Sequence, residues 1–348
     1  MSTLFVFDAP YSGAFQTLSD PPLQPDEVRI QTLYSGISAG TELTYWRGTN
    51  PYLTRRWDAD RRLFVDSAEP SFSYPVLNLG YEEVGQVVEV GAAVSDIPVG
   101  AHLFGTWGHR THHVAKVDYA RPRLMPAGLD PLCGIFSHLG AIALNGVHDA
   151  AIRLGDTVAI FGLGALGQIV ALMAKRSGAK VIAVDLLDSR LEMAQRLGAD
   201  VVLNAGQGSA AEAIKDLTGG LGADVCIEVS GSTIALNEAI RAAAYSARVV
   251  AMGFFQGEAK GLTLGAEFHH NRINLVCSQI SGVSPELSYR WTKLRLWQSA
   301  IRLQADGVLD LRALITHRAP FADAESMYRL IDERPNEVLL AVLEFGGV

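Results

Sequence analysis

The chain has 348 residues, too many for one compact core and a length that suits two domains. It is 49% apolar, 19% charged and carries a formal net charge of −8. That balance describes a globular protein with a large buried interior, and it gives no electrostatic reason to expect nucleic acid or an anionic membrane as partner. The opening residues Met1 to Asp8 lack a basic segment followed by a long apolar one, and no apolar run approaches the length of a membrane span. A cytoplasmic location is therefore expected. Cys133, Cys226 and Cys277 are odd in number and far apart, with no CxxC or Cys/His spacing among them. Neither a disulfide framework nor a structural zinc lobe follows, and buried packing is expected for all three.

Residues 1 to about 124 are punctuated by Gly and Pro and hold short β-type runs at Glu27 to Leu33, Glu83 to Val90 and His112 to Val117. The pattern predicts a small, mostly-β domain such as a partly open barrel. A long irregular insert runs from Gly48 to Pro75. Its four arginines, Arg55, Arg56, Arg61 and Arg62, have Asp58 and Asp60 among them, so a solvated ion-pair surface is favoured over an anion site.

From about Pro126 to Gly282 the rhythm becomes strand, helix, strand. Val158 to Phe161 reads as a buried parallel strand, Gly162-Leu-Gly164-Ala165-Leu166-Gly167 as a tight turn, and Gln168 to Lys175 as a helix ending near Gly178. The unpaired N–H groups and positive dipole end of that helix favour a pyrophosphate over the glycines. Gly162 permits the turn, Gly164 admits the ligand and Gly167 lets helix and strand pack closely. A second strand, Val181 to Val184, ends in Asp185, 18 residues past Gly167 and near the spacing of a ribose-binding carboxylate. A carboxylate there repels a 2′-phosphate, so NAD(H) is expected over NADP(H). Arg190 is placed to reach the same ribose.

Further along come a helix at Ser189 to Leu197, a strand at Asp224 to Val229, a helix from about Thr233 to Tyr245, and strands at Arg248 to Met252 and Asn274 to Ser278. Such alternation means a doubly wound parallel sheet, whose ligands sit beyond the carboxyl ends of the strands. Ser230, Gly253, Phe254 and Ser278 fall at those ends and are expected to border the cofactor, as are Ala165 and Leu166 in the turn. Past Gly282 a helix is predicted over about Ser288 to Ala305, with Trp291, Leu294, Trp297 and Ile301 on one stripe. A short strand at Ala313 to Thr316, a helix burying Ala324, Met327, Tyr328 and Ile331, and a closing strand at Glu337 to Glu344 complete the chain. Part of this tail is expected to return to the first domain.

This order resembles the medium-chain dehydrogenase/reductase family of alcohol and polyol dehydrogenases, along nearly the whole chain. Tyr34-Ser-Gly-Ile-Ser-Ala-Gly-Thr-Glu42 is similar to the family segment ending Cys-Gly-Thr-Asp, and Gly80-Tyr-Glu-Glu-Val-Gly85 to its Gly-His-Glu segment. The resemblance implies an α/β protein with a Rossmann NAD-binding domain over 125–285. It also implies a mostly-β, GroES-like catalytic domain made of 1–124 and about 286–348, and a homodimer.

Where the zinc enzymes of the family place two metal ligands, Ala39 and Tyr81 stand here. Alanine cannot ligate and a neutral tyrosine does so poorly. His138 lies near the third expected ligand position, and one histidine with Glu82 makes too thin a site, so no catalytic metal is expected. Ser-Gly-Ile-Ser-x-Gly-Thr-Glu with Gly-Tyr-Glu is similar to a zinc-free branch that includes the bacteriochlorophyllide-oxidising dehydrogenase of photopigment synthesis. Without the metal a side chain must manage the proton. Tyr81 and His138 are the expected acid/base pair, with Thr41 as relay, Glu42 and Glu82 to orient or balance charge, and Ser38, Tyr45 and Trp46 as pocket residues.

The expected function is interconversion of a secondary alcohol and a ketone on a polar hydroxylated small molecule such as a sugar or cyclitol, with NAD and without zinc. The alternatives are a quinone or enoyl reductase using NAD(P)H and, from a different class, a non-catalytic NAD(H)-binding sensor or partner subunit.

Overall fold

The computed structural model describes residues 1–346 and divides into two units, one of Met1–His138 with the chain from Ile315 onward, the other of Leu139–Leu314. The division falls at 138/139 and 314/315, later than 124/125 and about 285/286. The last two residues of the expected first-domain tail lie outside the described residues.

In the first unit β1 (Ser2–Ala9) and β2 (Ser12–Leu18) form an antiparallel hairpin. The long β3 (Glu27–Ile37) leads into the short α1 (Glu42–Trp46). β4 (Arg55–Asp58) and β5 (Leu63–Asp66) pair within the segment expected to be irregular. That hairpin is held by rings: Phe64 meets Tyr52 and Trp57 edge-on at centroid separations of 5.1 and 5.0 Å. β6 (Glu83–Val90), β7 (His102–Gly105), β8 (His112–Lys116) and the single-turn α2 (Val117–Ala120) follow, and α3 (Phe136–Ala150) begins as the first unit ends.

The second unit holds β9 (Thr157–Phe161), α4 (Ala165–Arg176), β10 (Lys180–Asp185), α5 (Asp188–Arg196), β11 (Val201–Asn204), α6 (Ala210–Leu217), β12 (Ala223–Glu228), α7 (Thr233–Ala242), β13 (Ala243–Ala251), β14 (Asn274–Cys277) and α8 (Lys293–Ala305). All six strands run parallel in the order β11-β10-β9-β12-β13-β14. The direction of winding therefore reverses between β9 and β12, where such sheets place their ligands. The strands are buried on both faces: Val158, Ile160, Val181, Ile182, Cys226 and Val249 are all solvent-free.

The chain then returns to the first unit through β15 (His317–Pro320), α9 (Ala324–Glu333) and β16 (Ala341–Glu344). β16 pairs antiparallel with β3 and parallel with β15, giving a sheet β15-β16-β3-β6-β7 with β8 also on β3. Two apolar clusters lie within it among the described residues. Val28, Ile30, Val87, Leu103 and Trp107 fill one, and Phe5, Phe7, Trp46, Met327 and Tyr328 the other.

Several expected elements shift for identifiable reasons. α7 stops at Ala242 because Ala243 turns extended and pairs with Ala223. The Val201–Asn204 strand and the helix after it escape a pattern reading, since four half-buried residues carry no alternation. α8 begins only at Lys293, so Trp291 lies outside it and the buried stripe is Leu296, Ala300, Ile301 and Gln304. Residues 312–314 form a 3₁₀ turn, with the strand displaced to 317–320. The closing strand is half the expected length. Cys277 is exposed on the edge strand β14, whereas Cys133 and Cys226 are buried. Among the described residues no helix is long and apolar enough to cross a membrane.

Candidate active site

The glycine turn lies at the carboxyl end of β9, and its three glycines face three different surroundings. Gly162 has φ +91°, and a Cβ there would meet the backbone N of Ser230 at 2.7 Å. A Cβ on Gly167 would lie 1.9 Å from the Gly162 carbonyl oxygen. Around Gly164 there is open space within 4 Å. The first and third glycines are thus demanded by the fold itself, while the second leaves the backbone clear on the side where a ligand approaches the start of α4. Ala165 and Leu166 open that helix, whose first N–H groups are free of intrahelical partners by construction.

Asp185 ends β10 and is buried. One carboxylate oxygen accepts from Leu163 N at 2.6 Å and the other from Leu186 N and Leu187 N at 2.8 and 3.0 Å. The same carboxylate therefore ties the glycine turn to the end of the neighbouring strand. Arg190 Nη1 stands 3.8 Å from it.

Across the switch point Glu228 ends β12, fully buried. It accepts from Ser230 N at 2.8 Å, Gly231 N at 3.1 Å and the Ser230 hydroxyl. Burial pushes its carboxyl above the usual range, opposed by those donors. A Cβ on Gly253 would collide with Gly231 N and with Glu228. Glu228 thereby organises the two loops that carry Ser230 and Gly253, a role that an acid closing an apolar strand could have signalled. Phe254 is exposed. Ser278 is turned away into α3, where its hydroxyl receives Asn145 Nδ2 at 3.4 Å.

In the first unit the Gly36-to-Glu42 turn brings Ser38 and Thr41 to Tyr81. The Ser38 and Tyr81 hydroxyls are hydrogen-bonded to each other, and the Thr41 hydroxyl also reaches the phenol. The His138 ring, at the start of α3, packs on the Tyr81 ring at 4.9 Å between centroids. Burial pushes the Tyr81 phenol well above its ordinary range, and the Glu42 carboxylate adds to it, so it keeps its proton at neutral pH.

Behind these groups lies a set of buried side chains. Glu42 Oε1 accepts from Ser38 N at 2.9 Å. Glu42 Oε2 meets His109 Nε2 at 2.9 Å and receives the Tyr328 hydroxyl. Glu83 accepts from Trp107 N at 2.7 Å and from Ser35 at 3.0 Å. Glu82 is 1% exposed and neither of its oxygens has a partner in the protein. Burial, with Glu42 and Glu83 nearby, raises its carboxyl far above the usual carboxylate range, and it is held as the neutral acid. His109 received no role from the sequence, and Glu83 and Tyr328 were read only as strand and helix positions, since no spacing links residues on five separate segments.

Ala39, at the family's cysteine position, is exposed, and its neighbour Ser38, an expected pocket residue, meets the Tyr81 hydroxyl. One sequence expectation changes. Trp46 is 1% exposed and packs between Phe7 and Tyr328, so it is core and walls no pocket. Tyr45 is half-buried against Phe72, its phenol pushed up to about 12 by burial. Arg55 pairs with Asp66 at 3.4 Å on the insert hairpin.

The residues at the family's metal positions do not fit zinc. An alanine and a protonated tyrosine offer no anionic or imidazole donors, and the described residues contain no group of three or more His, Cys, Asp or Glu able to hold an ion.

Comparison with known proteins agrees with this architecture. A family model described as zinc-binding dehydrogenase matches residues 165–294. The chain is 33% identical to a D-guloside 3-dehydrogenase of Escherichia coli K12 over 95% of its own length and 97% of that protein's. The same figures hold for the Shigella flexneri counterpart. The fold superposes on 2R,3R-butanediol dehydrogenase from Bacillus subtilis with a TM-score of 0.79 at 19% identity, covering 99% of this chain and 100% of that one. It superposes on a short chain alcohol dehydrogenase from E. coli CFT073, solved with NADH, with a TM-score of 0.77 at 20% identity and 99% coverage of both. On the strength of the near-full-length relatives, the chain belongs to the medium-chain, zinc-type alcohol and polyol dehydrogenase family.

Proposed function

We propose that the protein is an NAD(H)-dependent, zinc-independent oxidoreductase that interconverts a secondary alcohol and a ketone on a polar hydroxylated small molecule, a sugar or cyclitol derivative. The observation that carries this reading is the cluster of Ser38, Thr41, Tyr81 and His138, with Tyr81 standing where the resemblance sets a metal ligand of the family. The near-full-length likeness to D-guloside 3-dehydrogenases supports the substrate class.

A bound nicotinamide supplies or accepts the hydride, and the chain's own residues position the carbon and handle the proton. Tyr81 keeps its proton, so it acts as a donor to the ketone oxygen rather than as a base. His138, packed on the same ring, is the imidazole that exchanges the proton. Thr41 passes it onward, and Ser38 orients the phenol. Asp185 is the reason to favour NAD over NADP, because its carboxylate repels a 2′-phosphate. The same reading takes the protein as a cytoplasmic homodimer, with the exposed edge of β14 open to pairing with a second copy.

The test is a metal analysis of the purified protein combined with an NADH- or NADPH-linked screen of glycosides, sugars, polyols and their keto forms. Turnover with NAD(H) that survives chelation supports the proposal. Stoichiometric zinc whose removal abolishes turnover would discard the chemistry. Quinone reduction with NADPH preferred would replace it with the reductase reading.

A further inference from the structure

We propose that His109 is a buried imidazolium that positions the Tyr81 and Ser38 hydroxyls, acting through Glu42 and through the backbone at Gly80. The inference rests on the acid/base reading of Tyr81 above.

Burial raises the Glu83 carboxyl, opposed by the charge of His109 and by the Trp107 and Ser35 donors; with Glu83 and Glu42 as carboxylates, proton counting gives the state of the ring. Ser35 has one hydroxyl proton, and it is donated to Glu83 Oε1 at 3.0 Å. Its oxygen, 2.7 Å from His109 Nδ1, must then accept, so Nδ1 carries a proton. On the other side Nε2 lies 2.9 Å from Glu42 Oε2 and 2.8 Å from the Tyr328 oxygen. Tyr328 spends its only proton on Glu42, so Nε2 faces lone pairs alone and carries a proton as well. A ring with both nitrogens protonated is positively charged. His109 is 1% exposed, and burial opposes that charge. The charge and hydrogen bond of Glu42, followed by the charge of Glu83, outweigh burial and raise its pKa above the ordinary imidazole value.

Two routes connect the ring to the hydroxyl pair. Glu42, gripped by His109 and Tyr328, accepts Ser38 N with its other oxygen and so fixes the residue whose hydroxyl meets Tyr81. Gly80 has φ +89°, and a Cβ there would lie 2.7 Å from the His109 ring and 2.7 Å from Glu83. The ring is therefore a wall against which the backbone entering Tyr81 rests. The groups facing His109 come from every element around it: Glu42 from α1, Ser35 from β3, Glu83 from β6 and Tyr328 from α9. Glu82 stands next to Glu83 in sequence, and Arg110 follows His109 itself.

The experiment pairs histidine ¹⁵N NMR of the whole protein across pH with steady-state kinetics of His109→Gln and Tyr328→Phe. The expected result is a His109 resonance with both nitrogens protonated at pH 7 that loses a proton only in the alkaline range. Alongside it, His109→Gln should lower kcat roughly tenfold to a hundredfold, leave NADH affinity unchanged and abolish the alkaline fall of kcat expected of wild type. A structural role alone would lower the melting temperature and leave the pH profile in place. Tyr328→Phe removes one donor to Glu42 but keeps the ring, so it should lower kcat less and retain the alkaline limb. A neutral His109 at pH 7, or wild-type kcat and pH profile in His109→Gln, would overturn the proposal. Should His109→Gln not fold, the resonance in wild type and the kinetics of Tyr328→Phe still decide it. A wild type that turns over nothing would sink the acid/base reading instead, and the NMR result would stand apart from it.

Discussion

The two candidate sites are built from different materials. Around Gly162 to Gly167 the ligand-facing groups belong to the backbone, and side chains contribute mainly by being absent. Around Tyr81 the backbone is a frame, and the chemistry lies in hydroxyls, an imidazole and carboxyls taken out of water. A backbone site tolerates nothing where atoms touch and nearly anything where they do not. A buried polar site responds to each proton, because an unpaired group in a low-dielectric interior is costly. Substitutions at the first site should therefore act all or none, and at the second by degrees.

The largest effect is expected at Gly167. With a Cβ 1.9 Å from the Gly162 oxygen, Gly167→Ala must push α4 off β9, at about 1–3 kcal/mol of stability, and NADH binding should be lost. Gly164→Ala meets no protein atom within 4 Å, so the melting temperature should hold while NADH affinity falls. Calorimetric titration with thermal melting reads both, and equal behaviour of the two variants would break the comparison on its backbone side.

Next come Tyr81→Phe and His138→Ala. Each should lower kcat by roughly a hundredfold, the range of a lost acid or base, with NADH affinity unchanged. Tyr81→Phe keeps the ring that packs on His138, so a loss of rate there reports the hydroxyl and not the packing. Wild-type rates in both would remove these residues from the chemistry.

Asp185→Ala should weaken NADH by about tenfold, which is about 1.4 kcal/mol, and reduce the discrimination against NADPH. Because Asp185 also holds Leu163 N, a parallel loss of NADPH affinity would show that its main work is tying the turn rather than reading the ribose.

These two materials also explain what could be read from the sequence. A strand, a glycine turn and a helix lie next to one another in the chain, and each obeys a local rule of periodicity or backbone freedom. The parallel sheet follows from the alternation of elements, while its order, which reverses between β9 and β12, comes from the structure. The buried cluster obeys no such rule. Ser35, Glu42, Glu83, His109 and Tyr328 come from distant segments, and Tyr328 looked like one apolar position on a helix face until its hydroxyl was seen to meet Glu42. Trp46 was read as a pocket wall because it follows the relay segment, but the β1 strand and α9, which enclose it, lie far away in the chain.

The effect that is smallest near pH 4 and grows with pH, and the sharpest on the side-chain site, belongs to Glu82. Its folded carboxyl binds a proton more tightly than the unfolded one, whose ordinary value is 4.5. Below that value both states are protonated and the group is neutral in the balance. As pH rises past it, the unfolded chain releases the proton and the folded chain keeps it, so the unfolded state binds fewer protons and stability falls with pH. The slope is about 1.4 kcal/mol per pH unit until the folded carboxyl itself ionises. Glu82→Gln keeps the shape and removes the proton linkage. Its melting temperature should match wild type near pH 4 and exceed it by a margin that widens toward neutrality. A margin independent of pH would mean that Glu82 is ionised in the folded protein, and the neutral acid behind Tyr81 would have to be given up.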